Sequence, residues 1–261
     1  MTIEQSLYLK TLKRKKRIIT ISRISLFIAF ISLWEILANI GIIDDFIFSS
    51  PSRIIKCFLS MISNGSLLRH LFVTTAETLI CFFLVIVLGL AIAIIMWLSD
   101  TFSKIIEPTL IVLNSLPKSA LAPVLIVWLG NNVKTIIISA ISVAVFGTIM
   151  TLYTGFIETD KDKIKLIRTL NGNKFHILTK VLLPGNIPTI INTMKVNMGL
   201  SLVGVIIGEF LAANEGLGYL IIYGSQVFKL DWVMMSIILL CILSMLLYQM
   251  INIIEKTLVK K

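Results

Sequence analysis

The sequence predicts an all-α membrane protein with six transmembrane helices and both termini in the cytoplasm. Its 261 residues are 57% apolar and 15% charged, and the mean hydropathy is +0.95. Soluble domains are about 45–50% apolar and about 25% charged. The apolar residues also form blocks long enough to cross a bilayer, which takes about 20 residues. These proportions exclude a disordered chain, a collagen-like chain and an ordinary soluble enzyme.

Six apolar segments have the length of a transmembrane helix. The third is the weakest candidate, because Pro117, Lys118 and Pro123 lie inside it and prolines favour a broken span. The first is longer than the apolar core of a signal peptide and no small-residue cleavage pattern follows it, so we interpret it as a permanent span. The predicted segments are 18–40, 74–98, 110–129, 135–155, 187–213 and 232–254.

The net charge of +10 is better explained by membrane orientation than by a nucleic-acid partner. Cytoplasmic segments of membrane proteins are enriched in Lys and Arg, and residues 1–17 are predicted to form a basic cytoplasmic tail. With six spans, 16 of the 24 Lys and Arg residues fall on the inner side and 5 on the outer side. This asymmetry supports a cytoplasmic location for both termini. A short nucleic-acid-binding arm is the alternative interpretation of the tail.

The polar stretch 158–184, between the fourth and fifth segments, has the pattern of one or two amphipathic helices. Asn171-Gly172-Asn173 is a turn signal, and Leu183-Pro184 is predicted to stop the second helix because proline lacks a backbone donor. Two interpretations stay open: a helix among lipid headgroups or a docking helix for a cytoplasmic partner. The apolar positions are Ile164, Ile167, Leu170, Ile177 and Leu178, and the basic positions between them are Lys161, Lys163, Lys165, Arg168 and Lys174.

This stretch resembles the coupling loop of permease subunits of bacterial ABC importers. The pattern of that family is Glu-Ala-Ala, three residues, Gly, nine residues, Ile, one residue, Leu-Pro. In register with Pro184, the Glu-Ala-Ala falls on residues 165–167 and the glycine falls on Asn171, so both positions depart from the pattern. Gly172 lies one residue late. Asparagine also tolerates the left-handed backbone conformation, so Asn171 is expected to make the bend.

Four further stretches resemble the nitrate/sulfonate/taurine-type branch of these permeases. The most specific is Val203–Ile222, which contains Glu-Phe-Leu-Ala and Gly-Leu-Gly-Tyr. The resemblance extends from about Ser49 to the C-terminus, whereas the basic tail is unspecific. The other three stretches are Phe48–Arg53, Gly65–His70 and Leu116–Gly130.

The resemblance implies a permease subunit of an ATP-driven importer in the bacterial cell membrane, with residues 18–261 as a single transmembrane domain. Two permease copies, as a homodimer, would form the path for a small anionic or polar nutrient, such as a sulfonate, taurine or nitrate. An external binding protein would deliver the nutrient, and two cytoplasmic ATP-binding subunits would dock on residues 158–184. The implied coupling residues are Lys165, Leu166, Ile167, Arg168, Leu170, Asn171, Gly172, Lys174, Leu183 and Pro184.

The sequence contains no Gly-x-x-x-x-Gly-Lys-Ser/Thr loop, the backbone cradle that holds the phosphates of a nucleotide. We therefore expect this chain not to be an enzyme by itself, and expect ATP and Mg²⁺ to be bound by the partner subunit. No cofactor or metal is expected in this chain, since its histidines and cysteines are isolated from one another. Cys57, Cys81 and Cys241 are interpreted as small apolar packing residues.

Polar residues inside the apolar segments are candidates for the translocation path, because each is costly to place in lipid. Glu209 is either a contact in the path or a hydrogen-bonding partner of the turn at 214–218. Lys118 either faces a cavity, where it would suit an anion, or extends to the inner surface. Three smaller residues either line the path or join helices by hydrogen bonds: Asn114, Asn197 and Ser201.

The alternative function is a secondary transporter or channel driven by an ion gradient. It predicts internal repeats and intramembrane charge pairs, and the sequence shows no repeat between its halves and few intramembrane charges. Two local features bear on the architecture. Gly204 and Gly208 have the spacing that permits close helix approach, and the stretch Pro51–His70 is predicted to be an amphipathic helix on the outer surface.

Overall fold

The computed structural model describes the backbone of residues 3–259 and the side chains of residues 14–257, apart from those at positions 45 and 119. The basic side chains of Lys10, Lys13, Lys260 and Lys261 lie outside this part of the chain. The described residues form helices and connecting turns, without a β-strand. The helices are α1 Ile3–Asn39, α2 Asp45–Phe48, α3 Pro51–Ser63, α4 Ser66–Leu98, α5 Asp100–Ser115, α6 Lys118–Leu129, α7 Val133–Ile157, α8 Lys161–Thr169, α9 Lys174–Ile177, α10 Leu183–Gly185, α11 Ile187–Ala212, α12 Leu217–Gln226 and α13 Leu230–Val259.

Within the described residues, five helices are long and apolar enough to cross a membrane: α1 from Arg14 onwards, α4, α7, α11 and α13. The pair α5 and α6 makes a sixth candidate span if the two are counted together. The predicted number of six is therefore reached only with this broken pair. Helix α1 begins at Ile3 and continues through the basic stretch and the first predicted span without interruption to Asn39.

The third predicted span, 110–129, is not one helix. Its halves α5 and α6 meet at an angle of 105°. The break lies at Leu116 and Pro117, where Leu116 has the extended conformation with φ −62° and ψ 142°. A residue before proline is biased towards this conformation, because the proline ring clashes with a helical neighbour. Pro123, in contrast, lies inside α6 without ending it.

The centre of the bundle is the packing of α4, α7 and α11. The buried side chains where these helices meet are mostly small, including Cys81, Ala140 and Ala144. Gly204 and Gly208 both face α7: a Cβ on Gly204 would lie 2.7 Å from the Ala140 Cα, and one on Gly208 2.9 Å from the Ile136 Cα. Small residues allow the backbones to approach closely, which is a main source of helix association in lipid.

The long helices alternate in direction, so the turns fall at two ends of the bundle. Residues 158–186, which connect α7 to α11, lie at one end, which we call the loop end. The other, which we call the distal end, holds α3, the turn 130–132 and the turn 213–216. The predicted helix Pro51–His70 ends earlier than expected, at Ser63, because Gly65 takes a positive φ of +72° and α4 begins after it.

Candidate functional site

The residues predicted to couple the chain to a motor form a two-helix structure at the loop end. Helix α8 begins at Lys161. The Asp160 side chain caps its start by accepting a hydrogen bond from the Asp162 N–H. Helix α9 begins after Asn173, whose side chain accepts from the His176 N–H at 2.9 Å while the His176 Nδ1 accepts from the Asn173 N–H at 3.3 Å. Such reciprocal bonds satisfy donors that a helix start leaves free.

The expected bend at Asn171 is confirmed. Asn171 has φ +61°, in the left-handed region. Its N–H donates to the Arg168 carbonyl at 3.0 Å, and the Gly172 N–H donates to the Ile167 carbonyl at 2.8 Å. This pair of bonds is a Schellman motif, which ends a helix, and Asn171 takes the position that glycine usually occupies in it.

Gly172 is required at its position for a different reason. The side chain of Ile167 folds over it, and a Cβ on Gly172 would lie 2.8 Å from the Ile167 carbonyl oxygen and in still closer contact with the Ile167 side chain. Ile167 is therefore half-buried within the loop. The turn is built from the pair Asn171 and Gly172 together.

Three large apolar side chains of the loop are exposed, and we call them the docking surface. Leu166 is 59% exposed, Leu170 71% and Phe175 66%. They lie on a segment rich in charged residues, outside the candidate spans, so lipid is not their expected neighbour. Exposed apolar groups rimmed by polar residues mark interaction sites. Phe175 was not among the predicted coupling residues. A large aromatic residue within a polar stretch was the sequence signal that could have identified it.

Of the remaining coupling residues, Lys174 and Leu183 attach this structure to the bundle. The Lys174 ammonium donates to the Leu98 carbonyl, at the end of α4, at 2.8 Å. Leu178 and Leu182 are buried against Leu152 and other residues of α4 and α7, and Leu183 packs at the edge of this cluster. Lys165 and Arg168 are exposed. Contacts of this kind would transmit a displacement of the loop to α4 and α7.

The predicted stop at Leu183-Pro184 is wrong, because helical backbone continues one residue past Pro184. The π-helical segment Leu178–Leu182 continues α9, and helical backbone extends through α10 to Gly185. Pro184 lies within this continuous run of helical backbone, two residues after the π-helical segment. The separation from α11 falls at Asn186, whose side-chain amide donates to the Thr159 hydroxyl at 2.8 Å and to the Leu182 carbonyl at 2.9 Å.

A polar cavity of about 640 Å³ lies between α7, α11 and α13 in the half of the bundle towards the loop end. Lys195 lines it and forms an ion pair with Glu255 of α13, with 2.7 Å between Nζ and Oε2. Asn197 also lines it, is 2% exposed, and its amide nitrogen has no hydrogen-bond partner. A buried donor without a partner is costly. Its other polar lining groups include Thr148, Thr151, Thr189, Asn192 and Thr193.

The other predicted path residues lie in different places. Ser201 is buried one helical turn beyond Asn197, and its hydroxyl also lacks a partner. Lys118 folds back on the break of the third span: its ammonium donates to the Leu113 carbonyl and, at 3.0 Å, to the Asn114 carbonyl. It also lies 5.4 Å from the Phe146 ring centroid. Lys118 therefore satisfies carbonyls that the broken helix leaves free.

Glu209 lies at the distal end, 12 residues beyond Asn197 on the same helix, or about 18 Å along its axis. Its carboxylate is fully buried and accepts from the Thr74 hydroxyl at 2.7 Å and from the Gly218 N–H at 2.6 Å. Gly216 has φ +115°, and a Cβ there would collide with the Glu209 carboxylate. These contacts match the predicted alternative in which Glu209 hydrogen-bonds the turn at 214–218. Glu209 does not line the cavity around Asn197.

Most of the chain matches a known protein family. Residues 85–261 match the family described as "Binding-protein-dependent transport system inner membrane component". The "Putative aliphatic sulfonates transport permease protein SsuC" of Bacillus subtilis (strain 168) is 25% identical over 231 residues, which is 88% of this chain and 83% of that protein. The "Taurine transport system permease protein TauC" of Escherichia coli (strain K12) is 23% identical over 223 residues, which is 83% of this chain and 81% of that protein.

The fold resembles a solved structure described as an inward-facing conformation of the MetNI methionine ABC transporter. The TM-score is 0.64 at 18% sequence identity, over 74% of this chain and 95% of the matched chain. At this identity the likeness concerns the fold alone.

Proposed function

This chain belongs to the family of inner membrane components of binding-protein-dependent transport systems, and we propose that it forms the translocation path of an ATP-driven importer. The chain is a multi-pass protein of the cell membrane. In the proposal, an external binding protein delivers a small anionic or polar nutrient, and a second copy of this chain completes the path. Two cytoplasmic subunits bind ATP and Mg²⁺ and supply the energy.

The docking surface is the observation that carries this proposal. Leu166, Leu170 and Phe175 expose apolar area that burial against a partner would remove from water, at a gain of about 25 cal/mol per Å². These side chains lie on the bent α8–α9 structure, and Lys174 connects that structure to the end of α4. A partner that moves this loop would therefore act on a span directly. The headgroup interpretation of the loop is weaker, since α8 and α9 turn sharply at Asn171 rather than forming one flat helix.

The cavity between α7, α11 and α13 supports the proposed path. Its amide groups and the Thr151 and Thr189 hydroxyls offer hydrogen-bond donors to oxygen atoms of a ligand, and Lys195, paired with Glu255, adds a positive charge. The relatives named for aliphatic sulfonates and for taurine favour a nutrient of this kind. We assign Asn197 and Ser201 to this path, whereas Asn114 and Lys118 border it at the broken span.

The proposed orientation places the loop end in the cytoplasm and the distal end outside. The described basic residues of the loop, among them Lys161, Lys163 and Lys165, are exposed at the loop end. Retention of such residues on the cytoplasmic side is the general rule for membrane proteins. With six spans, this orientation also leaves both termini in the cytoplasm.

The test is co-purification of the tagged chain with a co-expressed ATP-binding subunit, in the wild type and in the triple variant Leu166→Asp, Leu170→Asp and Phe175→Asp. We expect the wild type to retain the subunit and the triple variant to lose it, because aspartate removes the apolar contact. Lys180→Asp is the charge-changing control on the same segment, where the wild-type side chain is also exposed; it should retain the subunit. Equal retention by all three proteins contradicts the docking role.

A further inference from the structure

Glu77 is a buried acid that neither the coupling loop nor the polar cavity uses. It lies on α4, three residues after Thr74, and only 4% of it is exposed. Its Oε2 atom has no hydrogen-bond partner. Its carboxyl lies beside that of Glu209.

Glu77 lines a pocket of about 220 Å³ at the distal end. The pocket lies between α4, the start of α7 and the segment that follows α11. Glu77 and Glu215 supply carboxylates, and Asn131, Asn132 and Asn214 supply amide groups that can accept hydrogen bonds. Asn132 already uses its own side chain to cap α7, accepting from the Thr135 N–H at 3.2 Å.

The cations near this pocket do not neutralise Glu77. Arg69 is paired with Glu215, at 2.8 Å and 2.5 Å in two contacts. His70 accepts a hydrogen bond from the Gly216 N–H at 3.0 Å through Nδ1, so it faces the turn. Among the described residues, no group of three or more His, Cys, Asp and Glu side chains is arranged to hold a metal ion.

We propose that this pocket binds the ammonium group of a small amine-bearing molecule. An ammonium group brings a positive charge and several N–H donors, which match the free carboxyl oxygen of Glu77 and the surrounding amide oxygens. A simple inorganic anion would be repelled, because the acidic side chains that line the pocket have the same sign of charge. The inference rests on the proposed function in one respect: the distal end is the end that receives the nutrient. It narrows the nutrient to molecules that carry an amine, alone or together with an acidic group.

The test measures binding of radiolabelled methylammonium to the purified full chain in lipid nanodiscs, without ATP or any partner. We expect saturable binding to the wild type, and a loss of affinity of about tenfold or more in Glu77→Gln, as for a lost hydrogen bond to a charged group. Glu107→Gln, a half-buried acid on α5, is the matched control and should bind as the wild type does. Equal binding by wild type and Glu77→Gln overturns the proposal.

Asn131→Asp is a second variant, and its expected effect on the affinity for methylammonium is opposite to that of Glu77→Gln. It adds a negative charge at the exposed rim of the pocket, so it should raise the affinity for methylammonium, a gain that misfolding cannot produce. Equal displacement of methylammonium by Na⁺ or by methanesulfonate would contradict the assignment to an ammonium group. Because this assay needs no transport, a failure here leaves the co-purification test of the proposed function unaffected.

Discussion

At the scale of single residues, Glu209 shows how a charge is accommodated inside a membrane protein. Its two oxygens accept from groups on α4 and on the start of α12, and Thr74 in turn accepts from the Leu217 N–H at 2.7 Å. The carboxylate therefore connects three helices through donors that would otherwise be buried without acceptors. Its position beside a glycine-rich turn made this role foreseeable from the sequence, but its proximity to Glu77, 132 residues earlier, was not.

Replacing Glu209 by Ala should destabilise the protein by about 2–5 kcal/mol, since it leaves the Thr74 hydroxyl and the Gly218 N–H without an acceptor. Glu215→Ala is the control: it removes the same type of side chain from a pair with Arg69, whose side chain is 73% exposed. Exposed pairs contribute about 0–1 kcal/mol. Unfolding of the purified variants in mixed micelles measures the difference, and equal losses would show that Glu209 does not support the turn.

At the scale of helices, the close approach of α7 and α11 is the contact that defines the bundle. Gly204→Ala should weaken it by about 1–3 kcal/mol, because the new Cβ would lie 2.7 Å from the Ala140 Cα and 3.0 Å from its carbonyl oxygen. Gly199→Ala, on the same helix, is the matched control. A Cβ at Gly199 meets no atom within 4 Å, so this change should be neutral or stabilising by up to about 1 kcal/mol.

Thermal unfolding of the two variants in detergent checks the sign of each effect. The same loss of stability in both would mean that the glycine contact with α7 is unimportant.

The sequence predicted the long helices well, and the reasons are physical. An apolar block of the length needed to cross lipid has few alternatives to a helix. The bend at Asn171 was also predictable, because few residues other than glycine accept a left-handed conformation. The end of the loop helix was not, since its continuation past Pro184 depends on the wide turn Leu178–Leu182 and on Asn186, and neither gives a clear pattern in sequence.

The angle of 105° at Pro117 was equally beyond the sequence. Proline predicts a break, but the direction taken after it depends on packing against α7 and on the bonds that Lys118 makes to the free carbonyls. The residues predicted to line the path lie in different parts of the bundle for a similar reason. Spacing along a helix does not tell which neighbouring helix each polar side chain faces.

At the scale of the whole molecule, the sites have a simple order along the bundle. The docking surface lies at the loop end, the polar cavity around Asn197 lies towards that end, and the pocket at Glu77 lies at the distal end. Helices α4 and α11 run along the bundle between the loop end and the distal end. A displacement of the loop, attached to α4 through Lys174, therefore has a direct physical route to the end where a nutrient would enter.

We propose that this chain forms a translocation path that couples an external binding protein to a cytoplasmic ATPase. The most direct measurement is ATP hydrolysis inside sealed proteoliposomes that contain the assembled transporter, with nutrient-loaded binding protein added outside. We predict that hydrolysis rises on addition, and that it does not rise when Leu166, Leu170 and Phe175 are replaced by Asp. If hydrolysis is the same with and without the binding protein, and nutrient uptake follows an imposed ion gradient in the absence of ATP, the chain is instead part of an ion-driven transporter.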